Sequence, residues 1–126
     1  MSWLTDYTAI TGLMDGYSLI PENKEPEDAG EFGNKVYSIR RTGLGTVELM
    51  TDNGMTYTYK VMIRIRYLHN DATQRVTNET LFDTLCEAFA SDSSFENWLS
   101  EPSIEKINNI YSVAQMEFLY GQDSNT

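Results

Sequence analysis

The sequence is poor in the residues that carry most chemistry: it has one cysteine and one histidine in 126 residues. A single thiol, Cys86, excludes an internal disulfide and points to a reducing compartment. One histidine and one cysteine cannot build a zinc site by themselves. Basic residues are also scarce, nine against 19 acids, for a formal charge of −10. Such a chain repels phosphates overall and is a poor nucleic-acid binder. No apolar run nears the roughly 20 residues of a membrane helix, so no membrane contact is expected. The opening Met-Ser-Trp-Leu-Thr-Asp has neither a basic start nor an apolar stretch, so no secretion signal is expected. Gly43-Leu44-Gly45 lacks the further glycine and the helix of a phosphate loop.

The same scarcity bears on catalysis. His69 has Asp71 nearby, but a lone histidine just after a strand, in a polar turn, is far more often a surface residue than half of a catalytic pair. Cys86 falls on the apolar stripe of a helix, where a buried inert thiol is the expected state. Carboxylates are plentiful, but no pair sits in a signalled cleft. The sequence therefore predicts no enzyme, no cofactor and no metal.

What the chain does have is an unusually regular strand. From Thr56 to Leu68, every odd position (Tyr57, Tyr59, Val61, Ile63, Ile65, Tyr67) is aromatic or β-branched. Strict alternation is the mark of a strand with one face in a core, and a helical period would scatter those side chains. Burying six of them contributes roughly 10–15 kcal/mol gross, an upper bound because the unfolded chain is already partly collapsed. The even positions place Lys60, Met62, Arg64 and Arg66 in a row on the other face.

Charge is segregated around this strand. Residues 35–75 carry seven bases and three acids (+4), residues 1–34 one base and seven acids (−6), and residues 76–126 one base and nine acids (−8). A basic middle and acidic flanks are complementary patches on one chain.

The rest reads as one domain over 1–126. Residues 2–20 form an amphipathic helix on Leu4, Tyr7, Ile10, Leu13, Met14 and Tyr17, capped by Ser2 or Thr5 and ended by Gly16. Residues 21–34 are an acidic loop with Phe32 as its one large apolar anchor. Lys35–Arg41 and Thr46–Thr51 are strands separated by a turn at 42–45. Asp52-Asn53-Gly54 makes a hairpin into the long strand. A three-residue loop there keeps core residues on one face, with Leu49 opposite Tyr57 and Val47 opposite Tyr59. Val76–Ser91 is the second helix, with Thr77 as N-cap, a Val76–Leu81 staple and an acidic outer face of Glu79, Asp83 and Glu87. Ser93-Ser94-Phe95-Glu96 reads as a capping box for a short helix through Leu99, closed by Pro102. Residues 107–120 form the last strand, and 121–126 are a mobile polar tail. The fold class expected is α+β: an antiparallel sheet of about four strands with two main helices on one face.

Two candidate surfaces follow. The first is the cationic row of Lys60, Met62, Arg64 and Arg66, with Arg40 or Arg41 from the neighbouring strand. It is either a plain solvent-exposed sheet face or a subunit interface where cations meet acids of another copy. The second is the acidic loop, with Glu22, Glu25, Glu27, Asp28, Glu31 and Phe32. It is either a solvated surface loop or a segment that orders on assembly.

The pattern resembles the tail terminator, or tail completion (minor capsid), proteins of long-tailed bacteriophages. The stretches that carry the likeness are Lys35-Val36-Tyr37-Ser38-Ile39, then Tyr59 to Tyr67, then Leu81-Phe82-Asp83-Thr84-Leu85, and finally Ile110 to Tyr120. They span nearly the whole chain. The resemblance implies a virion protein of the tail or neck, assembled in the host cytoplasm. It implies a hexameric ring that caps the tail tube protein, meets the head-completion or connector protein, and lets DNA pass without binding it specifically. It implies no catalytic residue. The alternative reading is a small acidic adaptor or inhibitor domain that binds a basic protein partner.

Overall fold

The computed structural model describes residues 3–21, 35–50 and 54–121, with backbone alone for 46–50 and 54–57. The elements run α1 (Trp3–Gly16), β1 (Ile20–Pro21), β2 (Val36–Met50), β3 (Gly54–Leu68), α2 (Ala72–Ala90), β4 (Phe95–Trp98), β5 (Ser103–Lys106) and β6 (Tyr111–Tyr120). The class is α+β. The sheet has six strands rather than about four, in the order β1-β2-β3-β6-β4, with β5 also on β6. It is mixed, because the two-residue β1 runs parallel to β2. Pro21 therefore belongs to the sheet edge. The remainder of the predicted 21–34 loop, Ser2, Asp52 and Asn53, and residues 122–126 lie outside the described residues.

The long alternating strand is the centre of this sheet. β3 is antiparallel to β2 on one side and to β6 on the other. Its odd residues Tyr59, Val61, Ile63, Ile65 and Tyr67 are all buried, beside Ala114, Met116, Phe118 and Tyr120 of β6. Both helices cover that same face. Ile10 and Met14 of α1 and Phe82, Leu85 and Phe89 of α2 complete the core. The Phe89 and Phe118 rings lie 5.1 Å apart and Trp3 meets Tyr59 at 5.1 Å.

Several local expectations are overturned, each by a tertiary partner. Thr42–Gly45 is no turn: β2 runs straight through it, with shifts of register between Arg41 and Gly43 and between Leu44 and Val47. Thr42 is the extra residue of the first bulge, and its hydroxyl donates to the Lys60 carbonyl at 3.3 Å. At the second, a Cβ on Gly45 would collide with the Leu119 side chain and the Thr58 hydroxyl, so a larger residue there would force both to move. The hairpin keeps the expected parity, but each pairing shifts by two residues. Val47 faces Tyr57, Leu49 faces Met55 and Met50 faces Gly54.

Residues 93–99 form a turn and the strand β4 (Phe95–Trp98), not a helix. The Asp92 carboxylate accepts from the Ser94 amide at 2.9 Å and turns the chain, which then leaves the turn extended. Phe95 and Trp98 then pack their rings on Phe118, at 5.5 and 5.7 Å. After Pro102, β5 continues along the same edge of β6. Residues 107–110 precede β6 rather than belonging to it.

α2 begins four residues ahead of its predicted start. Asp71 is the N-cap and accepts from the Thr73 amide at 3.2 Å. Val76 is 53% exposed, so it forms no staple. In α1 the register also differs: Leu4 and Tyr7 face outward, while Asp6 is buried.

α1 ends in a Schellman arrangement. The Leu19 amide donates to the Met14 carbonyl at 3.3 Å and the Ser18 amide to that of Asp15 at 3.0 Å. Leu19 drops into the core, and Ser18 takes the left-handed position with φ of 63°. Serine is strained there. Ser18→Gly is expected to stabilise the protein by about 1 kcal/mol, read as a higher urea midpoint at unchanged slope.

Asp6 is 1% exposed, and neither carboxylate oxygen has a hydrogen-bond partner among the described residues. Burial raises its pKa from 3.8 to about 6, with the Asp92 charge adding and the N-terminus opposing. The folded state holds this proton more tightly than the unfolded chain. Stability contributed by protonated Asp6 is therefore full below about pH 4 and lost as pH rises through about 6. A shift of this size corresponds to roughly 3 kcal/mol above that range. Asp6→Asn should remove this slope, so its gain over the wild type grows between pH 4 and 7 in denaturant titrations; a constant difference would refute the assignment.

Candidate functional site: the open face of the sheet

Among the described residues, the helices cover one face of the sheet and no further layer covers the other. Cross-strand register decides what that face shows. Val36, Ser38 and Arg40 of β2 stand opposite Arg66, Arg64 and Met62 of β3. On the far side, Val113, Gln115, Glu117 and Leu119 of β6 stand opposite Arg66, Arg64, Met62 and Lys60. Residues directly opposite share a face, so these side chains form one surface. Arg40, Lys60 and Arg64 are exposed, while Met62, Arg66, Val113 and Leu119 are half-buried.

The predicted row thus lies on one face, and Arg40 joins it. Arg41 does not. It pairs with Val61 on the helix-covered face, where its guanidinium sits 5.2 Å from the Tyr59 ring centre and 5.9 Å from that of Trp3. Its stem and charge are used on the aromatic rim of the core. Glu22, Glu25, Glu27, Asp28, Glu31 and Phe32 fall outside the described residues, so the second predicted surface is not part of this description.

Three of the cations converge. Arg40, Arg64 and Arg66 line a hollow of about 250 Å³ together with Ser38, Val36, Tyr37, Val113 and Ile107. Among the described residues no carboxylate lines it. Arg66 also lies with its guanidinium 5.9 Å from the Tyr111 ring centre, which fixes it at one end. Guanidinium groups are planar forks suited to bidentate capture of carboxylate or phosphate oxygens. Like charges gathered on neighbouring strands destabilise the free chain, and an incoming anion removes that penalty.

The face is not uniformly basic. Glu117 stands opposite Met62, and its carboxylate accepts from the Thr42 hydroxyl at 3.2 Å. Glu105 of β5 pairs with Val113 and lies at the margin. Sequence reasoning missed Ser38, Val113, Ile107 and Glu117 as members of this surface. The alternation of 36, 38 and 40 was the available signal, but it needs the β2–β3 register to place it.

The two residues with conventional reactivity are elsewhere. The His69 ring Nδ1 lies 2.6 Å from the Ser112 hydroxyl oxygen, and the His69 amide donates to the Ile110 carbonyl at 2.8 Å. Together these tie the end of β3 to the start of β6. Ser112 is only 6% exposed, so its hydroxyl is not presented to a substrate. The Cys86 thiol is pushed up to about 11 by burial, then by Asp83 and Glu87, which disfavours a reactive thiolate. Among the described residues, no group of three or more His, Cys, Asp and Glu could hold a metal ion, and no helix is long and apolar enough to cross a membrane.

No family model, no curated protein and no solved structure matches the chain.

Arg41 and Arg64 should respond differently to truncation. Arg41→Ala loses its two ring contacts and is expected to cost about 1 kcal/mol, whereas Arg64→Ala should stay within about 0.5 kcal/mol of the wild type. Thermal unfolding of the two variants side by side checks this.

Proposed function

We propose that this protein is a virion assembly protein of the tail-terminator kind. It closes into a ring, six copies in the simplest form, which caps the tail tube protein and offers its other side to a head-completion protein. The observation that carries the reading is the open sheet face. Among the described residues no second layer covers this face, and Met62, Val113 and Leu119 stand half-buried among cations, in a chain of formal charge −10. Apolar contacts framed by mostly basic side chains suit a specific protein–protein interface.

Unlike patches on one protomer make head-to-tail contacts, and these close into rings when the rotation fits. An acidic lumen then repels DNA and lets it slide through without adhering. The site of action on this reading is the tail or neck of the virion, reached after assembly in the host cytoplasm.

Size-exclusion chromatography with light scattering at low and high salt tests the reading. A closed oligomer at low salt that loosens as salt rises is expected. Arg64→Glu with Arg66→Glu should weaken it and leave the circular dichroism spectrum unchanged. A strict monomer at high concentration and low salt, with tail tube protein present, would overturn the ring and leave the acidic-adaptor reading.

A further inference from the structure

The cationic face has a surface of opposite charge elsewhere on the described part of the chain. The outward side of α2 presents Glu79, Asp83 and Glu87, spaced four residues apart; Asp83 and Glu87 are exposed. Val76 stands on the same stripe and is 53% exposed, an apolar side chain with no role in its own protomer's core. This stripe lies on the outside of the helix layer, so it faces away from the open sheet face of the same chain. The two surfaces cannot meet within one copy.

The spacings agree. Four residues of helix advance about 6 Å along the axis. Arg64 and Arg66, two residues apart on a strand, are separated by about 7 Å. With Asp83 against Arg64 and Glu87 against Arg66, Glu79 falls about 12 Å from Glu87. Met62, about 13 Å from Arg66, lies at the same level, and Val76 is within a few ångströms of it. Acids meet the arginine hollow at one end, and apolar side chains meet at the other. Glu79 and Val76 lie on adjacent sides of that level.

We infer that α2 of one copy lies across the open sheet face of the next, with Asp83 and Glu87 seated on Arg64, Arg66 and Arg40. This rests on the assembly reading above and deepens it, by naming the second half of the subunit contact. The contact is heterologous: each copy gives its helix to one neighbour and its sheet to the other.

Charge-swapped pairs test it. One variant carries Arg64→Glu and Arg66→Glu; the other carries Asp83→Lys and Glu87→Lys. Sedimentation velocity at low salt reads the assembly, with circular dichroism as the control for folding. Each variant alone is expected to assemble at least about tenfold more weakly than the wild type. An equimolar mixture should assemble again, because the two kinds of contact in an alternating ring each pair opposite charges. If a reversal fails to fold, Arg64→Gln/Arg66→Gln and Asp83→Asn/Glu87→Gln replace it, each expected to weaken assembly.

Normal assembly of the helix variant beside failure of the sheet variant would overturn this contact and leave the assembly reading standing. Failure of the mixture to reassemble from two folded, unassembled variants would do the same. Normal assembly of both variants would likewise overturn this contact and leave the assembly reading standing; a wild type that never assembles, with tail tube protein present, would overturn both.

Discussion

The alternation of side chains along β3 is the constraint from which the molecule is built. With β2 on one side and β6 on the other, the strand has no free edge over Tyr59–Arg66, and its period of two becomes a sharp division of labour. Tyr59, Val61, Ile63, Ile65 and Tyr67 are buried beneath both helices. A slip by one residue would put Lys60, Arg64 and Arg66 into that core, at a cost no contact there could offset. The cations on the open face therefore hold the register as firmly as the apolar residues do.

The covered face also shows where such packing tolerates exceptions. Arg41 is admitted because its charge rests on the Trp3 and Tyr59 rings at the rim. Asp6 is admitted at a cost, since its carboxylate is enclosed with no hydrogen-bond partner among the described residues. Asp92 lies close enough to raise its pKa further, and itself accepts from the Tyr120 hydroxyl at 2.8 Å. The start of α1, the end of α2 and the last residue of β6 thus share one electrostatic neighbourhood.

How much of this was legible in the sequence depended on the range of the deciding interaction. The central strand, the two helices and the α+β class follow from periodicity alone. The position of Lys60, Met62, Arg64 and Arg66 on one face follows from the same alternation. What failed was everything decided by a distant partner. Glycines at 43 and 45 suggest a turn until Thr58 and Leu119 are seen to need the space at Gly45. Ser93–Glu96 suggests a helix until Phe118 offers Phe95 and Trp98 a surface. The polar run after His69 suggests a loop, yet Asp71 caps a helix there whose polar side faces water. The hollow itself was invisible, because it needs Arg40 placed diagonally to Arg64 across two strands.

A sheet that the described residues cover on one side only poses a solubility problem. Met62, Val113 and Leu119 would form a sticky patch if nothing interrupted them, and any two copies could adhere back to back through it. The guanidinium and ammonium groups spaced between them oppose that pairing wherever like charges would meet, although Glu117 lies among them. The arrangement filters encounters by orientation, admitting a neighbour that arrives with the opposite sign and turning away its mirror-fashion approach.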